Sequence, residues 1–454
     1  MANFPPVLRI SLQSLLLIFS VALTACSGGS SDSGATDPSI DRSVTPDTGS
    51  NDGGTPTDEE TTPPDSEGPT PDPVGFDQPY DRPTQYAGVA SMPLQYITTS
   101  TGKRLGVYVS FPATEDGEPA EGPFPVVMVQ SAYNLSISAS SLRIGGGILT
   151  GAPDPFLIKR GYAVVAVDAL GTGVSEGGWE LLGAAEQQAY GEAVDWVEQQ
   201  PWFNGRLGLA GVSYMGISAL YTAQQRPDSV HAIFADVPMG DSQRGTVGIG
   251  GTFNALFMST WMILTHALTT QNIPAALLNP NHYSTIAAAT REHIDQIDSY
   301  YLPLLDDAFY GADYLSYDGE FWRTRSPIHQ IDKVKAPTFI TGALQDIFQR
   351  DAGLLYEKLK QNTDTRLVIY DGDHTNHVIN LFPGGSNSDP LMNLMLQWFD
   401  HYLLGMDTGV ETIPPVTQYV QHSSPLLGFG YASTTDWPHP RRHRNAGICT
   451  ATKP

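Results

Sequence analysis

Residues 211–216 read Gly-Val-Ser-Tyr-Met-Gly, after the strand-like run 206–210 and before a helix-forming run over 217–225. A serine hydroxyl is a weak nucleophile until it stands clear of the backbone and a neighbouring base takes its proton. A sharp strand-to-helix turn does the lifting, and the N–H groups that open the helix then face the reacting centre. Gly211 leaves room for such a turn. The usual pattern has its second glycine two residues after the serine, yet that position is Met215 and the glycine follows at Gly216. Alone, the motif reads either as a nucleophile elbow at Ser213 or as an ordinary serine in a turn.

A serine nucleophile needs a base and an acid that orients it. On a sheet of this kind they follow in the order Ser, Asp or Glu, His, each in a loop after a strand. Asp346 follows the strand expected over 336–342, and His374 follows the strand expected over 366–370. His374 would take the Ser213 proton and later pass it to the leaving group. Asp346 would hold the imidazole in the correct tautomer. His377 rivals His374, and Asp351 rivals Asp346, although Asp351 suits the start of the next helix better. Asp373, His374 and His377 also invite a metal reading, but their spacing matches no common zinc pattern. No cofactor or metal is expected.

The elements that must carry these residues are legible. Segments 94–100 and 104–111 alternate as a hairpin of half-buried strands. Segments 124–130 and 162–168 are continuous valine-rich runs, the mark of strands buried on both faces. Segment 184–200 has helical spacing, with Ala189, Ala193, Trp196 and Val197 on one side. A further apolar run covers 230–237. This alternation predicts an α/β class fold with a mostly parallel, doubly wound sheet. Residues 241–325 interrupt it with long helical stretches over 252–268 and 285–300 and many aromatics, as an inserted cap would. The expected layout is a core over 79–240 and 326–410, the cap between, and a remnant and tail over 411–454.

At this point the residues resemble a family. Gly211-Val-Ser-Tyr-Met-Gly216 fits the G-x-S-Y-x-G elbow of the Xaa-Pro dipeptidyl-peptidase-like, cocaine esterase-type (CocE/NonD) serine hydrolases. The segments 160–165, 168–177, 200–208 and 317–327 are similar too. The resemblance spans roughly 90–440. It implies the α/β-hydrolase fold, the triad Ser213, Asp346 and His374, and small ester, amide or peptide substrates. It also implies that the Tyr133 hydroxyl and the Tyr214 backbone N–H form the oxyanion hole, and that Phe348 lines the acyl pocket. Two departures stand out. Asp371-Gly372-Asp373 precedes His374 where the family tends to have an apolar, tryptophan-containing stretch, and the family's C-terminal jelly roll is expected to be missing. The basic tail 441–454 reads as a natural terminus or as the product of a reading-frame shift.

The first 26 residues read as a targeting segment, with an apolar run over 12–25 too short for a stable span. Leu23-Thr24-Ala25-Cys26 resembles a lipobox, so Cys26 is expected to be acylated and to hold the protein on a lipid bilayer, with Ser27 favouring the outer membrane. Residues 27–78 carry twelve acids against Arg42 alone and almost no large apolar side chains, which predicts an acidic, disordered linker. The net charge of −24 repels phosphate backbones and argues against nucleic acid. Only Cys26 and Cys449 are present, so no disulfide framework is expected. The favoured reading is a broad acyl hydrolase. A dipeptidyl peptidase would need cap carboxylates for a free amine, with Asp241, Glu292, Asp295, Asp298, Asp306 and Asp307 as candidates. A third reading is a surface binding lipoprotein on an impaired hydrolase fold.

Overall fold

A computed structural model of the chain describes residues 80–136, 154–374, 390–421 and 429–438. Cys26, the linker, His377 and residues 439–454 lie outside them. The chain divides into units Met1–Gly68 and Pro69–Pro454, and every described residue belongs to the second.

Eleven strands form one sheet among the described residues. They are β1 (Gly88–Ser91), β2 (Gln95–Thr98), β3 (Arg104–Ala113), β4 (Phe124–Ser131), β5 (Ala163–Asp168), β6 (Phe203–Val212), β7 (Ala232–Asp236), β8 (Thr338–Ala343), β9 (Thr365–Tyr370), β10 (Val416–Gln421) and β11 (Phe429–Thr434). Their order is β1-β3-β5-β4-β6-β7-β8-β9-β10-β11, with β2 also paired to β3. From β5 to β10 all neighbours run parallel. The edges are antiparallel, as the alternating hairpin of β2 and β3 predicts. Strands β10 and β11 extend the sheet beyond β9.

Side chains of the inner strands go alternately to two apolar layers, because strand periodicity is two. Val126, Met128, Leu209 and Ile233 face one layer, with helices α1 (Ala184–Glu198), α2 (Tyr214–Gln225) and α6 (Asp351–Leu359) packed there through Ala193, Val197, Leu220 and Leu355. Val127, Ala210, Phe234 and Phe339 face the other, covered by α7 (Pro390–Leu404) through Leu394, Trp398 and Phe399. Asp400 of α7 is fully buried and takes a bidentate pair from Arg82 plus the hydroxyls of Tyr80 and Tyr162. That pair fastens the described N-terminal stretch to the far layer.

The connection from β4 goes to β5 on one side, while that from β6 goes to β7 on the other. At such a reversal the loops diverge and leave a crevice at the carboxyl ends of the strands. Tyr133 lies just after β4 and Ser213 just after β6, so both border it.

The chain between β7 and β8 makes the helical cap, including α3 (Ala255–Thr269), α4 (Tyr283–Gln296) and α5 (Leu302–Phe309). Its two stems are clipped together: Ile328 N–H donates to Gly240 O at 3.1 Å, and Ser242 N–H to Ser326 Oγ at 2.9 Å. Among the described residues no helix is long and apolar enough to cross a membrane.

Candidate active site

Strand β6 ends at Val212 and α2 begins at Tyr214, so Ser213 alone makes the turn. Its backbone lies at φ 56°, ψ −121°, a conformation that costs a side-chain-bearing residue about 1–3 kcal/mol. Ser213 N–H donates to Asp236 O at 2.9 Å, and Ile217 N–H to Ser213 O at 3.0 Å, which holds the strained residue from both sides. A Cβ on Gly211 would stand 2.2 Å from Met215 Cβ, so that position admits no side chain. On Gly216 it would stand 3.1 Å from Gly211 O and 3.2 Å from Asp236 O. Met215 instead points into the buried layer under the cap. The second close approach of this turn therefore falls at Gly216, one residue later than in the usual pattern.

The loops after β8 and β9 bring the acid and the base to this turn. His374 Nε2 lies 2.7 Å from Ser213 Oγ, and His374 Nδ1 lies 2.9 Å from Asp346 Oδ2. The Asp346 side chain is almost wholly buried, while His374 keeps 23% exposure. Phe348 N–H donates to Asp346 Oδ1, which fixes the carboxylate plane. With Nδ1 donating to Asp346, Nε2 is the acceptor for the serine proton.

Tyr133 and Tyr214 complete the arrangement. The Tyr133 phenol is half-buried, and its desolvation raises its pKa, while hydrogen bonds with Trp261 and Ser213 pull it back. A phenol in that state is a donor and not a base. Trp261 Nε1–H donates to Tyr133 Oη at 3.1 Å and so occupies an oxygen lone pair, leaving the phenolic proton for an acceptor beside Ser213. Tyr214 is the first residue of α2, and its N–H belongs to the helix-opening set that has no partner within the helix.

The sequence profile described as X-Pro dipeptidyl-peptidase (S15 family) matches residues 101–376, from the strand hairpin through His374. The chain belongs to this S15 family. It is 24% identical over 348 residues to the cocaine esterase of Rhodococcus sp. (strain MB1 Bresler), which covers 71% of this chain and 56% of the esterase. It is 21% identical over 319 residues to a putative Xaa-Pro dipeptidyl-peptidase of Bacillus anthracis, covering 65% of this chain and 46% of that protein. The chain thus spans about half the length of these relatives. A crystal structure of a CocE/NonD family hydrolase from Staphylococcus aureus superposes with a TM-score of 0.55 at 19% identity, over 81% of this chain and 63% of that one. That likeness shows the α/β-hydrolase fold.

Within this S15 member, an aromatic wall rises over the serine. The Phe348 ring stands edge-on to His374 with centroids 5.1 Å apart, and Phe257 stands 6.4 Å from Phe348. Phe257 stacks on Trp261 at 6.0 Å, and Trp261 meets Trp179 at 5.2 Å. The family resemblance pointed to Phe348, whereas Phe257 and Trp261 carried no signal in the sequence. Both lie on α3, and only the folding of the cap over the sheet brings them to Ser213. Beside Leu181, residues Phe253, Met258, Met262 and Trp322 line a small apolar pocket on the same side.

The rival acid has another place. Asp351 is the first residue of α6, and its Oδ2 accepts the N–H groups of Gly240 at 2.8 Å and Asp241 at 3.1 Å. It braces the root of the cap, and burial lifts its pKa from 3.8 to about 6. Among the described residues no group of three His, Cys, Asp or Glu side chains is arranged to hold a metal ion.

Proposed function

We propose that this chain hydrolyses esters of apolar acyl groups through an acyl-enzyme. The reading rests on one observation, the hydrogen-bonded chain Asp346–His374–Ser213 ending on a strained elbow. In the proposed cycle His374 removes the Ser213 proton as Oγ attacks the carbonyl. The oxyanion forms against the Tyr133 hydroxyl and the Tyr214 N–H. His374 protonates the leaving alcohol, and water then repeats the sequence on the acyl-serine. Phe257, Trp261 and Phe348 would receive the acyl part.

The cap acids favour an ester over a peptide with a free amine. Asp241 caps Arg244 N–H, Glu292 binds Lys103 and Gly177 N–H, and Asp307 takes the Tyr314 hydroxyl. Asp295, Asp298 and Asp306 are exposed. The aromatic wall supplies apolar surface and no carboxylate to hold an ammonium group.

Fluorophosphonate labelling tests the reading. One equivalent of label, found on Ser213 by peptide mass spectrometry, is expected, together with turnover of p-nitrophenyl acyl esters. An intact protein that stays unlabelled would make it a binding protein on a hydrolase scaffold. We also propose attachment to a bilayer through acylated Cys26. The Cys26→Ser protein should then leave the membrane fraction, and retention there without detergent would exclude that anchor.

A further inference from the structure

Behind the proposed oxyanion site lies a buried carboxyl that the chemistry above does not use. Glu186, on the first turn of α1, is fully buried and has no cation beside it among the described residues. Its Oε1 takes the hydroxyl of Tyr190 at 2.5 Å, the Trp179 indole N–H at 3.3 Å and the hydroxyl of Tyr214. Its Oε2 takes Leu182 N–H at 2.8 Å. A buried carboxyl is costly unless its lone pairs are filled, and here they are filled by groups that border the active site. Burial raises its pKa from 4.5 to about 7.

Two routes lead from this carboxyl to the two oxyanion donors. The first runs through Tyr214, whose hydroxyl is held by Glu186 and whose backbone N–H adjoins Ser213. The second runs through Trp179, whose ring meets Trp261, the donor that orients the Tyr133 hydroxyl. The Tyr133 and Tyr214 rings also meet each other, with centroids 5.8 Å apart. Glu186 further holds a corner that is strained on its own. Leu181 and Leu182 both have left-handed backbones, at φ 56° and 63°, and such residues persist only where surrounding contacts over-determine them.

We infer that Glu186 is a positioning residue for the oxyanion hole, acting through the Tyr214 hydroxyl and through the Trp179–Trp261 contact. The inference rests on the hydrolase reading above. A group that aligns transition-state donors acts on kcat and leaves ground-state binding alone.

The test compares Glu186→Gln, Tyr214→Phe and the double variant with the full-length wild type. Steady-state kinetics on a p-nitrophenyl ester and the rate of fluorophosphonate labelling are the readouts. Each single change should lower kcat and the labelling rate by roughly tenfold or more with KM within about twofold, since small misplacements of oxyanion donors are expensive. The double variant should lose little beyond the worse single variant, because Tyr214→Phe removes a connection that Glu186→Gln already breaks. If Glu186→Gln does not fold, Tyr214→Phe carries the test, as it removes one hydroxyl and keeps the ring. Wild-type kcat in both singles, a change confined to KM, or multiplying losses in the double would overturn the inference while the hydrolase reading stood. A wild type that neither labels nor turns over ester would overturn both.

Discussion

At the scale of single residues, the proposed cycle divides the polar groups around Ser213 into those that would move protons and those that would meet charge. Ser213→Ala and His374→Ala should each lower p-nitrophenyl ester hydrolysis on the order of 10³-fold or more while the melting temperature stays near wild type. Full activity in His374→Ala, with loss in His377→Ala, would transfer the base to the other histidine. Tyr133→Phe deletes only a hydroxyl and should cut kcat by about 10²-fold with KM little changed. Trp261→Phe keeps an aromatic ring but loses the N–H that orients that hydroxyl, so a smaller loss in the same parameter is expected, roughly tenfold. Should Trp261→Phe alter only KM, the indole is a wall and nothing more. The places of Ser213, Asp346 and His374 were readable in the sequence because each follows a strand, and local chain order preserves that. Trp261 and Glu186 were not readable. An indole on a cap helix looks like any core aromatic, and a glutamate in a helix's first turn looks like a solvated acid favoured by the helix dipole. Only long-range folding makes one a hydrogen-bond donor to Tyr133 and the other a buried acceptor.

At the scale of elements, the elbow is where sequence and backbone geometry bind most tightly. A methyl group at position 211 would overlap Met215, so Gly211→Ala must either push α2 outward or flatten the turn at Ser213. The variant should lose several kcal/mol of stability, of the size seen for overpacked or strained sites. Urea denaturation would show it, and an unshifted midpoint with full activity would mean that the turn is far softer than described. The helix after the elbow was expected from residue 217 and begins at Tyr214. Apolar spacing marks where a helix packs, whereas the left-handed serine decides where it starts. The inner strands were legible because burial on both faces leaves an unbroken apolar run. Strands β10 and β11 were not, since strands at the margin of a sheet, β11 at its edge and β10 next to it, carry a weaker pattern when half open to solvent and sit among turn-forming residues.

At the scale of the whole molecule, the buried carboxyls with raised pKa values include Asp168 and Glu186, lifted to about 7, and Asp351, lifted to about 6, with burial as the first cause. Asp168 gives the clearest test. Its two oxygens take Leu135 N–H at 2.8 Å and Val174 N–H at 3.0 Å, and it moves from 3.8 to about 7 on folding. A carboxyl raised in the folded state stabilises fully below its unfolded pKa, and that share is lost as pH rises through the folded value. Between pH 4 and 7 the group should therefore subtract on the order of 4 kcal/mol. Asp168→Asn cannot ionise, so its deficit against wild type should shrink steadily from pH 4 to 7 and then level off. Denaturant titrations at several pH values would show this, and a constant deficit would refute it. One feature of the architecture reaches further. The cap leaves and rejoins the sheet at adjacent strands, β7 and β8, with stems already joined by hydrogen bonds at Gly240 and Ile328. An insertion with abutting ends can be traded for another without reopening the sheet, because closing its short base costs little entropy. On the proposed function, substrate range would then change by exchange of whole lobes, in evolution or in the laboratory, while Ser213, His374 and Asp346 stay untouched in the framework. On the proposed function the exchange carries one condition, since each incoming lobe would have to bring its own donor to the Tyr133 oxygen, as α3 brings Trp261.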